Sequence, residues 1–226
     1  RPLALHLCSG GRLASTACPE GTGASFVSDP ARPVPFTARA VTDGDREYMV
    51  EDQRFAARRP DVLVYATAPL TEDLTLAGPL RADLRVTTTG TDADFVVKVI
   101  DVYPADVRDP TPNPQRVRLA GYQQLVRGEV MRGRFRDGFD KPAPFIPGQP
   151  AAVRFGLPDI YHTFKAGHRL MVQVQSSWFP LVDRNPQTFV DITKARPEDF
   201  RPATHTVLHS KDHPSTIQVT VLRGGL

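Results

Sequence analysis

A chain of 226 residues with 40% hydrophobic content and twelve phenylalanines is long enough to bury one sizeable core, and all-β sandwiches commonly fill this range as single domains. Its 22 prolines, about twice an ordinary share of roughly 5%, exclude an architecture of long helices, because proline suits neither helix interiors nor central strands. The formal charge of +3 is small and the signs are interspersed, which argues against a nucleic-acid partner, and no apolar run approaches the ~18 residues of a membrane-spanning helix.

The first residues, Arg1-Pro2-Leu3, do not form a signal peptide. The chain starts abruptly in a strand-like stretch, LALHLC, as a piece of a longer protein would. The compartment is therefore left open between periplasmic or secreted and cytoplasmic, for a bacterial-type soluble protein. LALHLCS and RLAST flank Gly10-Gly11 and predict a hairpin with Cys8 opposite Leu13. Cys18 then falls beyond the natural partner of Cys8. The spacing favours two separate thiols, a disulfide is the alternative, and the absence of a Cys-x-x-Cys pair argues against a metal.

Residues 19–60 read as a long irregular segment carrying DPARPVPF, and loops of that length are uncommon unless they pack on something. Arg46–Phe55 inside it fits one helical turn or a short extended piece. The stretch Asp61–Tyr103 then follows antiparallel grammar: an apolar run Val62–Ala66, a polar bend Thr71–Asp73, an alternating strand from Leu80 to Val86, a Thr/Gly/Asp turn, and a dense β-branched strand Phe95–Val102. A proline-rich insert, Pro104–Pro114, precedes Arg118–Arg136, where three glycines weaken a helix and alternation favours a long bent strand. Ala151–Leu157, with Tyr161–Phe164 as continuation or neighbour, then Arg169–Ser177, Thr204–His209 and Ser215–Leu222 complete eight to ten strands.

Catalytic motifs are missing from this text. No serine has the small flanking residues of a nucleophile elbow, and neither a phosphate loop nor a dinucleotide fingerprint occurs. His205 and His209 lie four apart, but on a strand that offset spaces them about 13 Å along one face, too far to share a metal, so they read as surface histidines. A triad built on His209 and Asp212 lacks a serine. The pairs Asp43/Asp45 and Asp92/Asp94 have the spacing of calcium ligands, yet both sit in turns where aspartate is common for backbone reasons. No metal or cofactor is expected. Trp178-Phe179 reads as core or interface, and an aromatic sugar platform in a carbohydrate-binding module is the alternative function.

Three ordered motifs carry a family likeness. EYMVEDQRFAARRPDVLVYATAPL continuing to DFVVKVIDVYP, then AGYQQLVRGEVMRGRFR, then FGLPDIYHTFKAGHRLMVQVQSSWFPLVDRNPQ, resemble the C-terminal domain of the X-prolyl dipeptidyl peptidase, cocaine esterase and α-amino-acid ester hydrolase family. The resemblance implies an all-β jelly-roll β-sandwich of the galactose-binding type, with two antiparallel sheets and little helix, forming one domain over residues 1–226. It implies that the catalytic Ser, Asp, His and oxyanion tyrosine of a serine hydrolase lie elsewhere, and that this chain is non-catalytic. Its expected partners are the N-terminal α/β-hydrolase and cap domains of the same parent, with a homo-oligomer formed through that parent. The segment 19–60 would then lie across the catalytic domain. Cys8 and Cys18 are not part of the likeness. Candidate interface or cleft-wall residues are Tyr48, Asp52, Gln53, Arg54 and Phe55, with Trp178, Phe179, Asp183 and Arg184, chosen because aromatic residues and arginine are enriched where protein surfaces meet.

Overall fold

The computed structural model describes residues 1–18, 21–39 and 46–225. Eleven strands are present among them: β1 (Pro2–Cys8), β2 (Arg12–Ala14), β3 (Gly23–Ser28), β4 (Leu63–Ala66), β5 (Leu74–Thr88), β6 (Asp94–Val102), β7 (Gln123–Arg132), β8 (Ala151–Phe164), β9 (Arg169–Gln175), β10 (Ala203–Leu208) and β11 (Thr216–Arg223). The only α-helix among the described residues, α1 (Arg54–Ala57), is a single turn.

The strands form a jelly-roll β-sandwich. In the first layer β5 pairs with β8 on one side, while β11 and then β10 share its other side; β1 continues beyond β11 and β3 beyond β10. The second layer runs β4, β9, β6, β7. The β1–β2 hairpin crosses between them, β2 meeting β4 in one parallel bridge at Arg12 and Ala66, and β7 lies beside β8 at the opposite seam. All the other strand ladders are antiparallel.

Period-two patterning builds the core. Leu80, Ala82, Leu84 and Val86 of β5 point inward against Phe95, Val97 and Val99 of β6 and Leu170, Val172 and Val174 of β9. Asp101 fastens the layers at one end: one carboxylate oxygen meets His162 of β8 at 2.9 Å and the other His168, just before β9, at 2.8 Å.

Five expectations need correction. Residues 19–60, expected as an irregular segment, contain β3, which pairs with β10 and brings the strands to eleven rather than eight to ten. The β5 strand starts at Leu74, not Leu80, because Gly78 (φ +96°) and Pro79 form a bulge rather than a stop; β8 continues unbroken past it. Ser9–Gly11 forms a 3₁₀ turn that shifts the hairpin register by one, so Cys8 faces Arg12 and Leu7 faces Leu13. The chain bends back after β2 and Cys18 reaches Cys8 in a disulfide, with Cα atoms 5.7 Å apart, in place of two separate thiols. His205 and His209 are buried, not surface residues. His205 lies between the rings of Phe26 and Phe95, and its Nε2 is 3.3 Å from Ser176 Oγ; His209 Nε2 meets the Tyr65 hydroxyl at 2.9 Å.

Candidate functional site

The outer faces of the two layers differ. On β6 and β9 almost every residue is buried, because residues outside the sandwich cover that face. The cover is the described part of the 30–60 segment, hereafter the strap. Its first limb is stitched to the chain leaving β9: Val34 N donates to Ser177 Oγ at 2.8 Å, Phe179 N to Val34 O at 3.0 Å, and Phe36 N to Phe179 O at 2.9 Å. Its second limb, a 3₁₀ turn at Arg46–Val50 followed by α1, is fastened to β7, with Gln53 N donating to Gln123 O at 2.9 Å and Asp52 Oδ1 accepting from Gln123 N at 3.2 Å. The hydroxyl of Tyr122 donates to Val50 O.

Aromatic rings fill the space beneath. Phe36, Tyr48 and Trp178 form a tilted and edge-on series with centroids 5.3 and 5.9 Å apart, packed on Val96. Gly128 of β7 makes room for Trp178: a Cβ there would lie 2.9 Å from the indole. Phe55 joins Val34, Ala56 and Val62 in a smaller cluster. Between these groups lies Lys98, fully buried, its Nζ 3.0 Å from Gln53 Oε1 and 5.0 Å from the Trp178 ring. Burial pushes the Lys98 ammonium down to about 7, with the Glu51 carboxylate acting in the opposite direction.

The structure thus brings Gln53, Phe55 and Trp178 together around Lys98, with Tyr48 behind Trp178. Asp52 and Arg54 pair with each other, which raises the guanidinium's pKa, and Arg54 also donates to Ala120 O at 3.1 Å. Phe179, Asp183 and Arg184 fall in a neighbouring group. Arg184 sits over Phe179 and Phe200 at 5.7 and 5.1 Å and donates to Pro30 O, while Asp183 accepts from Arg132 at 2.5 Å. Trp178 is buried under the strap and presents no exposed platform for a sugar. Sequence reading missed Lys98 and Phe36. A lysine in the run FVVKVIDV, in phase with Val96 and Ile100, was the available signal for a covered outer face.

The described residues contain no cluster of three or more His, Cys, Asp or Glu able to hold a metal. Asp92 and Asp94 are buried and face donors of the protein itself: the Arg134 guanidinium meets Asp92 at 2.8 Å, and the Arg132 guanidinium and the Asn185 amide meet Asp94 at 3.3 and 2.7 Å. Asp43 and Asp45 lie outside the described residues.

Residues 25–218 match the family model described as the X-Pro dipeptidyl-peptidase C-terminal non-catalytic domain. The chain belongs to this family. Among solved structures, an aminopeptidase from the marine sediment archaeon Thaumarchaeota archaeon is similar over 99% of the chain, with 42% identity and a TM-score of 0.91. An α-amino acid ester hydrolase is similar over 96%, with 45% identity and a TM-score of 0.90. Cocaine esterase of Rhodococcus sp. (strain MB1 Bresler) is 28% identical over 95% of the chain. The chain spans 37%, 36% and 35% of these relatives. The strap's second limb and the Trp178 loop are built from the first and third of the motifs that carry the family likeness.

Proposed function

We propose that this non-catalytic domain supports the catalytic part of a serine hydrolase acting on acyl bonds, whether ester, amide or X-Pro peptide, and that the strap and aromatic loop help wall its substrate cleft. One observation carries the reading. A groove of about 450 Å³ opens between the strap and the β7–β8 seam, lined by Tyr48, Met49, Val50, Leu125, Tyr161 and Trp178. Met49, Val50 and Tyr161 are 51%, 66% and 77% exposed, so large apolar side chains border the groove with water in front of them. Gln124, Arg127 and His162 also line it, and exposed apolar side chains set among polar and arginine groups mark a place where another protein surface packs. The remaining two thirds of the relatives' length supplies a candidate for it: an α/β-hydrolase domain with its cap.

The test is made in the full-length hydrolase. Deleting this domain is expected to yield an insoluble or inactive enzyme, and a truncated enzyme that stays soluble with full activity overturns the supporting role. Tyr161→Asp is expected to lower kcat/KM at least tenfold, about 1.4 kcal/mol, while the domain itself keeps its stability. Unchanged kcat/KM removes the groove from the cleft.

A further inference from the structure

The face that the strap covers carries three polar side chains among its apolar ones. Lys98, Gln173 and Gln175 point outward from β6 and β9 and are completely buried. Gln173 Oε1, Gln175 Oε1 and Trp178 Nε1 have no hydrogen-bond partner among the described residues. Groups left this way cost free energy when buried, so closure of the strap is opposed by the polar groups it covers. Lys98 is the most demanding of them. An ammonium offers three donors, and among the described residues it meets one acceptor, Gln53 Oε1 at 3.0 Å. Its cross-strand neighbours are Gly128 on β7 and Gln173 on β9, both uncharged. From the strap it meets Gln53 and the Phe55 ring, and from the β9 exit Trp178; Tyr48 stands behind Trp178. The Glu51 carboxylate, the charged group among the described residues that favours its protonated form, is held in hydrogen bonds from Ala38 N at 3.2 Å.

We propose that Lys98 is a proton-linked latch: the strap closes over it as a neutral amine, and uptake of a proton by Lys98 favours release of the strap from the second layer. The geometry supplies the two states. Closed, the amine is buried and donates to Gln53; open, it is hydrated and the strap's second limb, hydrogen-bonded to β7 through Gln53 and Asp52 and packed through Tyr48 and Phe55, is detached. Burial holds the closed amine near 7, against an ordinary value of about 10.5 in water. The sign follows from proton counting. Between these values the open state binds one more proton than the closed state, so closure strengthens by up to about tenfold per pH unit as the pH rises, and is independent of pH below about 7. The inference concerns the strap and the sheet of this chain alone, and stands whether or not the groove meets a catalytic domain.

Trace acetylation of the chain with an amine-reactive ester, mapped by peptide mass spectrometry from about pH 6 to 10, tests it without any substitution. Lys141, Lys165, Lys194 and Lys211 are exposed and serve as internal standards. Lys98 reacts only when the strap is open, so its rate is expected to level off above about pH 7 while the standards rise about tenfold per unit. A Lys98 profile parallel to the standards, or a rate equal to theirs, overturns the proposal. As a second arm, amide exchange in peptides spanning 46–57, corrected for intrinsic rates, is expected to slow with rising pH in the wild type and to lose that dependence in Lys98→Met. The same pH dependence in both overturns it.

Discussion

β5 and β6 run through the centres of the two layers and are composed differently. Along β5, buried Leu80, Ala82, Leu84 and Val86 alternate with Arg81, Asp83 and Arg85, whose side chains stand in water or at its edge. Along β6 the inward Phe95, Val97 and Val99 alternate with Val96, Lys98 and Ile100, which are just as buried. The inner faces obey one rule because they share one core. The outer faces differ because only the second layer is covered, so a strand without alternation in an antiparallel sandwich signals a third layer. That layer is where the candidate site sits.

The most severe break is expected from the cover's own anchor. Trp178→Ala removes the buried indole between Tyr48 and Val96 and is expected to cost about 3–5 kcal/mol in urea unfolding. Amide protection should fall in the strap while β5 and β8 keep theirs. Equal loss of protection in both layers would mean that the strap and the sandwich are one cooperative unit.

Next in size is the crossing between the layers. The Cys8–Cys18 disulfide ties the end of β1 to the chain beyond β2, at the point where the path leaves the first layer for the second. The pair Cys8→Ser and Cys18→Ser is expected to cost about 2–4 kcal/mol, the usual range for a disulfide. Thermal unfolding with and without reductant should show the same drop in the wild type and none in the double variant.

The layers also differ in where each buries an ionisable group. The first layer turns His205 inward against Phe95, while the second turns Lys98 outward under the strap. Burial lowers the His205 pKa to about 4, below an unfolded value of 6.5. As pH falls from 6.5 towards 4 the unfolded chain takes up a proton that the folded chain refuses, so stability drops by about 1.4 kcal/mol per unit. His205→Phe should flatten urea midpoints across that window; an unchanged slope would assign the acid sensitivity elsewhere.

These contrasts show what the sequence made legible. The antiparallel grammar and the family likeness follow from local alternation and ordered motifs, and the structure bears them out; the strand number is eleven rather than eight to ten, because β3 lies within a segment that reads as irregular. What failed depended on contacts between distant segments. Alternation assigns His205 and His209 to one face of β10 and its extension, but which face meets Phe95 and Tyr65 is decided by strands more than a hundred residues away. The one-residue shift at Ser9–Gly11 and the bulge at Gly78-Pro79 are local, but they change register rather than element type. Of the candidate residues, Tyr48, Gln53, Phe55 and Trp178 were selected for composition and meet in one place. Lys98, the group that Gln53, Phe55 and Trp178 surround, was passed over because it lies in a strand.

The smallest expected effect sharpens the comparison most. Arg154 of β8 meets Asp83 of β5 at 3.1 Å on the uncovered outer face, with the guanidinium side chain 44% exposed. Water screens such a pair and its two side chains lose freedom in forming it, so Arg154→Ala should cost less than about 1 kcal/mol in urea unfolding. The amine of Lys98 occupies the equivalent side of the other layer, fully buried beneath the strap. If Arg154→Ala destabilised the chain as much as Trp178→Ala, the first layer's outer face would also have to be buried against something, and the distinction between a bare layer and a covered one would not hold.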